Sequence, residues 1–285
     1  MDRKISRFVM LLFGLSAILN PGCITYYRPD TFSGLNPAQM RSRHTLSTSY
    51  SHYTSSAYFD ARDRFPHSSR TETPDHKFTR DDVILQYTPS IASHARLAAW
   101  LPITHLRQAS AVDGVWRVDH LWLGILASTR TDQLTFISAL GIPLSSEVDS
   151  LVSTTADEES DVRFMLGGIL ANRPSPRHWA YYGRIAGVVH FESNPNVNGL
   201  YELQGEGHLA APIGPVHLGI RLDTKFTLID DKSDQSPLSH DTFAVGPIVS
   251  LPISNPWGLS VYYRSEIFGA NATAGSSFRI TLDRN

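Results

Sequence analysis

Val216-His217-Leu218-Gly219-Ile220-Arg221-Leu222-Asp223-Thr224-Lys225-Phe226 decides the fold. One parity carries Val216, Leu218, Ile220, Leu222 and Phe226; the other carries His217, Arg221, Asp223 and Lys225. Successive side chains of an extended strand point to opposite faces, so a strand sorts these residues into a greasy face and an ionisable one, whereas a helical period would mix them. The stretch from His178 to Phe191 repeats the pattern. Trp179, Tyr181, Gly183, Ile185, Gly187, Val189 and Phe191 share one face, with aromatics at both ends, and His178, Tyr182, Arg184 and His190 lie on the other.

Working outward, about twelve such segments are predicted, near 44–54, 81–90, 95–104, 115–127, 132–143, 160–172, 178–192, 198–211, 214–228, 240–253, 257–268 and 274–282. Alternation alone does not say which face is inside, because a water-soluble sandwich also alternates, with its apolar face inward. The connections and the charges argue for lipid outside. Counted from a periplasmic start, every second connection is tight: Ile91 to His94, Ser128 to Thr131, Arg173 to Arg177, Pro212 to Ile213 and Ser254 to Pro256. Those between them are generally longer, as in Ser55 to Arg80, His105 to Gly114, Leu144 to Glu159 and Ile229 to Ser239, with two short members at Ser193 to Val197 and Gly269 to Thr273. Short turns at one end and long loops at the other, with an even strand count, are the rhythm of a transmembrane barrel. Charges facing hydrocarbon cost a few kcal/mol each, and their confinement to one parity fits an enclosed lumen. The expected fold class is therefore all-β, a closed antiparallel up-and-down transmembrane β-barrel of about 12 strands whose last strand seals onto the first. Pro102, Pro143, Pro212 and Pro252 fall at expected strand ends, where a missing N–H costs least; Pro247 falls inside one.

The chain has 285 residues and a formal net charge of −2, which argues against a nucleic-acid binder working by bulk electrostatics. After the N-terminal segment no apolar run reaches the ~20 residues a membrane helix needs. Arg3, Lys4 and Arg7 followed by the apolar run Phe8 to Leu19 read as a signal peptide over 1–22. Cys23, the only cysteine, follows Gly22 as in a bacterial lipoprotein junction, although Asn20 and Pro21 depart from that pattern; it is either a lipidation site or a cysteine beside an ordinary cleavage site. Residues 23–43 read as a tether or plug segment and 44–285 as the barrel.

Leu85-Gln86-Tyr87, a tight turn to His94-Ala95-Arg96-Leu97 and a strand closing on Leu101-Pro102 resemble the outer-membrane barrels of the phenol-degradation meta-pathway family. Asp132-Gln133-Leu134 leading into Gly141-Ile142-Pro143, and Phe268-Gly269-Ala270-Asn271 before the final strand, are similar to further landmarks of that family. Thr88 and Pro89 stand where glycine is usual and His94 where an acidic turn residue is usual. The resemblance implies an outer-membrane location and a part in uptake of hydrophobic or aromatic compounds, and it carries over no catalytic residue.

On the assigned parity the lumen holds Arg96, Arg117, Asp119, Arg163, Arg184, Glu202, Glu206, His208, His217, Arg221, Asp223, Lys225, Arg264, Glu266 and Arg279. The solute-path candidates among them are Arg96, Arg163, Arg184, Glu206, His208, His217, Arg221, Asp223, Lys225, Arg264 and Glu266, together with inward Trp100. Such charges either form a conduit with a mild preference for anionic or polar-aromatic solutes, or simply cross-link neighbouring strands. His208, His217 and Glu206 lack the spacing of a metal site, and no nucleophile motif marks a serine, so no cofactor and no catalytic residue is expected. The acidic run Asp157-Glu158-Glu159 and the Asp230-Asp231-Lys232 loop read as solvated tips. The functional expectation is a passive channel or binder for small hydrophobic or aromatic solutes, with outer-membrane lipid and the barrel-assembly machinery as partners. A plugged structural or surface-interaction lipoprotein and a barrel-based hydrolase are the alternatives.

Overall fold

The computed structural model describes residues 44–59, 70–72, 78–108, 115–118, 120–129, 133–144, 162–172, 178–191, 197–231, 241–254, 257–270 and 273–284. The expected signal peptide, Cys23, the 23–43 segment, Asp119 and the acidic run 157–159 lie outside them. The strands are β1 His44–Phe59, β2 Arg70–Glu72, β3 Phe78–Ala92, β4 Ala95–Gln108, β5 Val115–Val118, β6 His120–Ser128, β7 Leu134–Pro143, β8 Val162–Ala171, β9 Ala180–Phe191, β10 Val197–Ile213, β11 Val216–Asp231, β12 Asp241–Ser254, β13 Trp257–Ala270 and β14 Thr273–Arg284.

Each wall strand pairs antiparallel with the next, in the order β1, β3, β4, β6 and on through β14. Pairing of β14 with β1, from Leu46↔Arg284 to Tyr58↔Thr273, seals the sheet. The result is a closed barrel of twelve wall strands, with β5 continuing the β6 wall against β4 and β2 extending β1 at its far end. Closure removes the free edge that a sheet would otherwise offer for aggregation.

Two local departures from the sequence expectation, and one proline that stands inside a strand as expected, have backbone causes. The tight turn placed at Pro212 to Ile213 is two residues later: β10 and β11 pair up to Ile213↔Val216, and Gly214 turns the chain at φ 62° ahead of Pro215. Glycine takes that left-handed φ without a Cβ penalty and proline fixes the next φ near −65°, the chemistry of a II′ hairpin. Pro247 does sit inside β12, and the ladder to β13 skips it, running from Val245↔Ser265 to Ile248↔Tyr262. The wall strand expected over 115–127 is divided into β5 and β6 where it passes Leu101-Pro102: pairing with β4 stops at Trp100↔Trp122 and resumes at Ile103↔Val118. A proline has no N–H to offer across that ladder.

The faces sort as β11 foretold. Leu218, Ile220 and Leu222 are exposed outside, while His217, Arg221 and Asp223 are buried inside. Leu85, Leu123, Ile125, Phe136, Leu166 and Ile185 continue the exposed apolar exterior around the wall.

Candidate functional site: a lumen with two unlike walls

The inward parity is not polar throughout. Charged and hydroxyl side chains line β10 to β14 together with β1 and β3, whereas β4 and β6 to β9 contribute an apolar cluster that includes Trp100, Trp122, Leu126, Ile137, Met165 and Val188, interrupted by the buried Arg96, Arg163, Arg184 and His190. In the closed ring β7 stands six strands from β13, so the apolar arc lies across the lumen from the charged one.

The charged wall is a connected network. Arg221 Nη2 donates to Glu206 Oε2 at 2.6 Å and to Asp223 Oδ1 at 2.9 Å, and Arg184 Nη2 lies 3.7 Å from the same Glu206 oxygen. Tyr262 Oη donates to Asp223 Oδ2 at 2.9 Å. Arg264 bridges onward, 3.8 Å from Asp223 and 3.2 Å from Glu266. Glu266 Oε2 then accepts from Tyr53 Oη and from the Gly275 backbone N–H, both at 2.8 Å. The network thus runs from β9 to β1. It crosses β12 where that strand offers only Ala244 and Gly246; a Cβ at Gly246 would run into the Tyr263 carbonyl and the Arg264 Cα.

Three strands carry an arginine and a carboxylate two residues apart on the inner face, as Arg80/Asp82, Arg221/Asp223 and Arg264/Glu266. The two-residue period of a strand makes such neighbours cofacial. Buried charges of this kind persist only when paired, and removing one partner costs about 3–5 kcal/mol.

On the apolar wall Trp100 and Trp122 stack, with ring centroids 5.6 Å apart and planes within 6°. Their row continues through Gly141 to Arg163 by the pairings Trp100↔Trp122, Trp122↔Gly141 and Gly141↔Arg163. The Trp122 ring lies 3.0 Å from where a Cβ of Gly141 would stand, so that glycine makes room for the indole.

The remaining sequence candidates take separate partners. Arg96 Nη1 donates to Thr45 Oγ1 at 3.3 Å, and Lys225 Nζ lies 2.9 Å from Glu202. His208 stacks on Tyr182 at 5.3 Å, and His217 Nε2 sits 3.3 Å from the His178 carbonyl. The two histidines therefore do not converge, and among the described residues no group of three metal-ligating side chains forms. Trp116 and Trp179 point outward and are exposed. Sequence reasoning passed over Tyr53, Tyr262 and Trp122 as lumen residues because each is apolar enough to read as girdle or packing.

It also passed over a polar cluster on the outer parity. His52 Nδ1 and Tyr50 Oη each lie 2.7 Å from Asp81 Oδ1, and His105 Nδ1 lies 3.7 Å from Asp81 Oδ2. Arg107 Nε donates to His105, which stacks on Trp116 at 4.4 Å. These residues sit beyond the apolar rows of β1, β3 and β4, towards the longer connections. Among the described residues His52 Nε2 has no hydrogen-bond partner, so within them no hydroxyl nucleophile stands against the His–Asp pair.

A sealed antiparallel barrel with a greasy exterior and ionisable side chains inside defines the transmembrane-barrel class. The chain is similar in fold to the COG4313 outer membrane channel from Pseudomonas putida F1, at 15% identity and a TM-score of 0.62, covering 91% of this chain and 99% of that one. It is also similar to the beta domain of the Bordetella autotransporter BrkA, at 11% identity and a TM-score of 0.50, covering 85% and 99% of the respective chains. No protein-family model and no curated protein sequence matches it.

Proposed function

We propose that this protein is a bacterial outer-membrane channel of narrow bore that binds and passes small amphipathic solutes, aromatic ones above all. The observation that carries the reading is the division of the lumen: a stacked tryptophan pair and aliphatic neighbours on one arc, an arginine-carboxylate network on the other. A solute with an aromatic body and a polar end meets complementary chemistry on both sides, as ligand sites pair apolar walls with a few placed polar groups. The fold shared with an outer-membrane channel supports the location and the class of activity, and the likeness to the meta-pathway family in sequence supports the solute class. Selection would act through size and lumen charge.

The test is reconstitution of the purified chain in planar bilayers bathed in potassium benzoate. Discrete conductance steps are expected, enlarged in Trp100→Ala. A silent bilayer containing folded protein overturns the channel reading. It would favour instead the plugged structural barrel, for which burial is the supporting observation: Trp100 is 1% and Arg184 4% exposed.

A further inference from the structure

We propose that Arg279 is the lumen's binding site for the carboxylate of a small aromatic solute. The inference rests on the channel reading above and names the group that such a solute would present.

The argument is one of charge and hydrogen-bond completeness. In the connected network Arg184, Arg221 and Arg264 face Glu206, Asp223 and Glu266, three cations against three anions. On β3, Arg80 and Asp82 close on each other at 2.6 Å, and Asp82 further accepts from Thr104 and Ser51. Arg279 stands between these two sets, in the row Tyr262↔Arg279↔Ser51↔Asp82. It is 4% exposed, and its Nε and Nη1 have no hydrogen-bond acceptor among the described residues. Asp82 lies within electrostatic reach of Arg279 but closes on Arg80, so the Nε and Nη1 of Arg279 stay open to a further acceptor in the lumen.

Its position is built. The guanidinium carbon lies 5.7 Å from the centroid of the Tyr262 ring, which also carries Arg221 at 4.2 Å. Tyr262 is fixed in turn by its bond to Asp223. A buried guanidinium with idle N–H groups is costly until an anion supplies acceptors. A carboxylate does so with planar, charge-assisted hydrogen bonds, the geometry for which arginine is suited and lysine is not.

The experiment is calorimetric titration of the full, detergent-solubilised chain with benzoate and with its uncharged analogue benzamide. Wild type is expected to bind benzoate about tenfold or more tightly than benzamide, the size of a charge-assisted hydrogen-bond contribution. Arg279→Gln is expected to bind the two probes alike, with Arg279→Lys between. Equal binding of both probes by wild type, or an undiminished benzoate preference in a folded Arg279→Gln barrel, overturns the proposal while leaving the channel reading to the conductance test. Crystals of wild type soaked in 4-bromobenzoate give a readout that needs no variant. Anomalous signal is expected to place the carboxylate on Arg279, and a carboxylate on another lumen arginine, or no bound probe, overturns the assignment.

Discussion

Tyr53 and Glu266 are 213 positions apart in the chain, and the Tyr53 hydroxyl donates to Glu266 Oε2 at 2.8 Å. This bond reaches from the first wall strand over the seam strand β14 to β13. Gly275 lets it pass: a Cβ there would stand 2.5 Å from the Tyr53 oxygen. Glu266 is 0% exposed and also accepts the Gly275 N–H, so one carboxylate ties three strands at the point where the barrel closes. Glu266→Gln is expected to lower stability by about 3–5 kcal/mol, because the buried Arg264 loses the nearer of its two carboxylates and keeps only Asp223 at 3.8 Å. Tyr53→Phe should cost about 1–3 kcal/mol. Urea unfolding followed by tryptophan fluorescence measures both, and a double variant no worse than Glu266→Gln alone would show that the pair acts as a unit.

Ile220, 60% exposed, belongs to the apolar exterior of β11, and its neighbour Arg221 is inside. Ile220→Arg is expected to destabilise the barrel in lipid by about 2–4 kcal/mol, the cost of a lipid-facing cation near the bilayer midplane. A neutral effect in the same unfolding assay would mean that this face does not meet hydrocarbon.

Gly246 and Gly258 separate packing from composition. A Cβ at Gly246 collides with the β13 backbone, whereas one at Gly258 meets nothing within 4 Å. Gly246→Ala is expected to lose the compact, heat-modifiable band on gels and Gly258→Ala to keep it. Equal mobility of the two would sink the claim that β12 must be thin where the charged network crosses it.

The outer-face cluster makes its own prediction. Asp81 accepts from both Tyr50 and His52, so Asp81→Ala strands two polar side chains on the wall. A loss of about 1–3 kcal/mol is expected, with Asp81→Asn milder because it keeps an acceptor. Unfolding in dodecylphosphocholine micelles compares the two, and an Asp81→Ala barrel as stable as wild type would count against a structural role for the cluster.

The barrel was legible because its code is local. A period of two, the paired charges Arg221/Asp223 and Arg264/Glu266, and alternating short and long connections are read from neighbours along the chain. The turn at Gly214-Pro215 was missed by two residues because Pro212 precedes it and Ile213 still pairs. Trp122 and Tyr262 were missed for a different reason: an aromatic on the inner parity has no marker separating girdle, packing and lumen.

What the amino-acid order by itself determined is which side chains share a face, since the pleat fixes that within each strand. Only the tertiary structure decided which faces meet. Ring closure carried the apolar residues of β6 to β8 opposite the charges of β11 to β13, joined Tyr53 to Glu266, and left the Nε and Nη1 of Arg279 without an acceptor among the described residues. Those relations depend on shear and register summed around twelve strands, a long-range geometry that no short window of sequence contains.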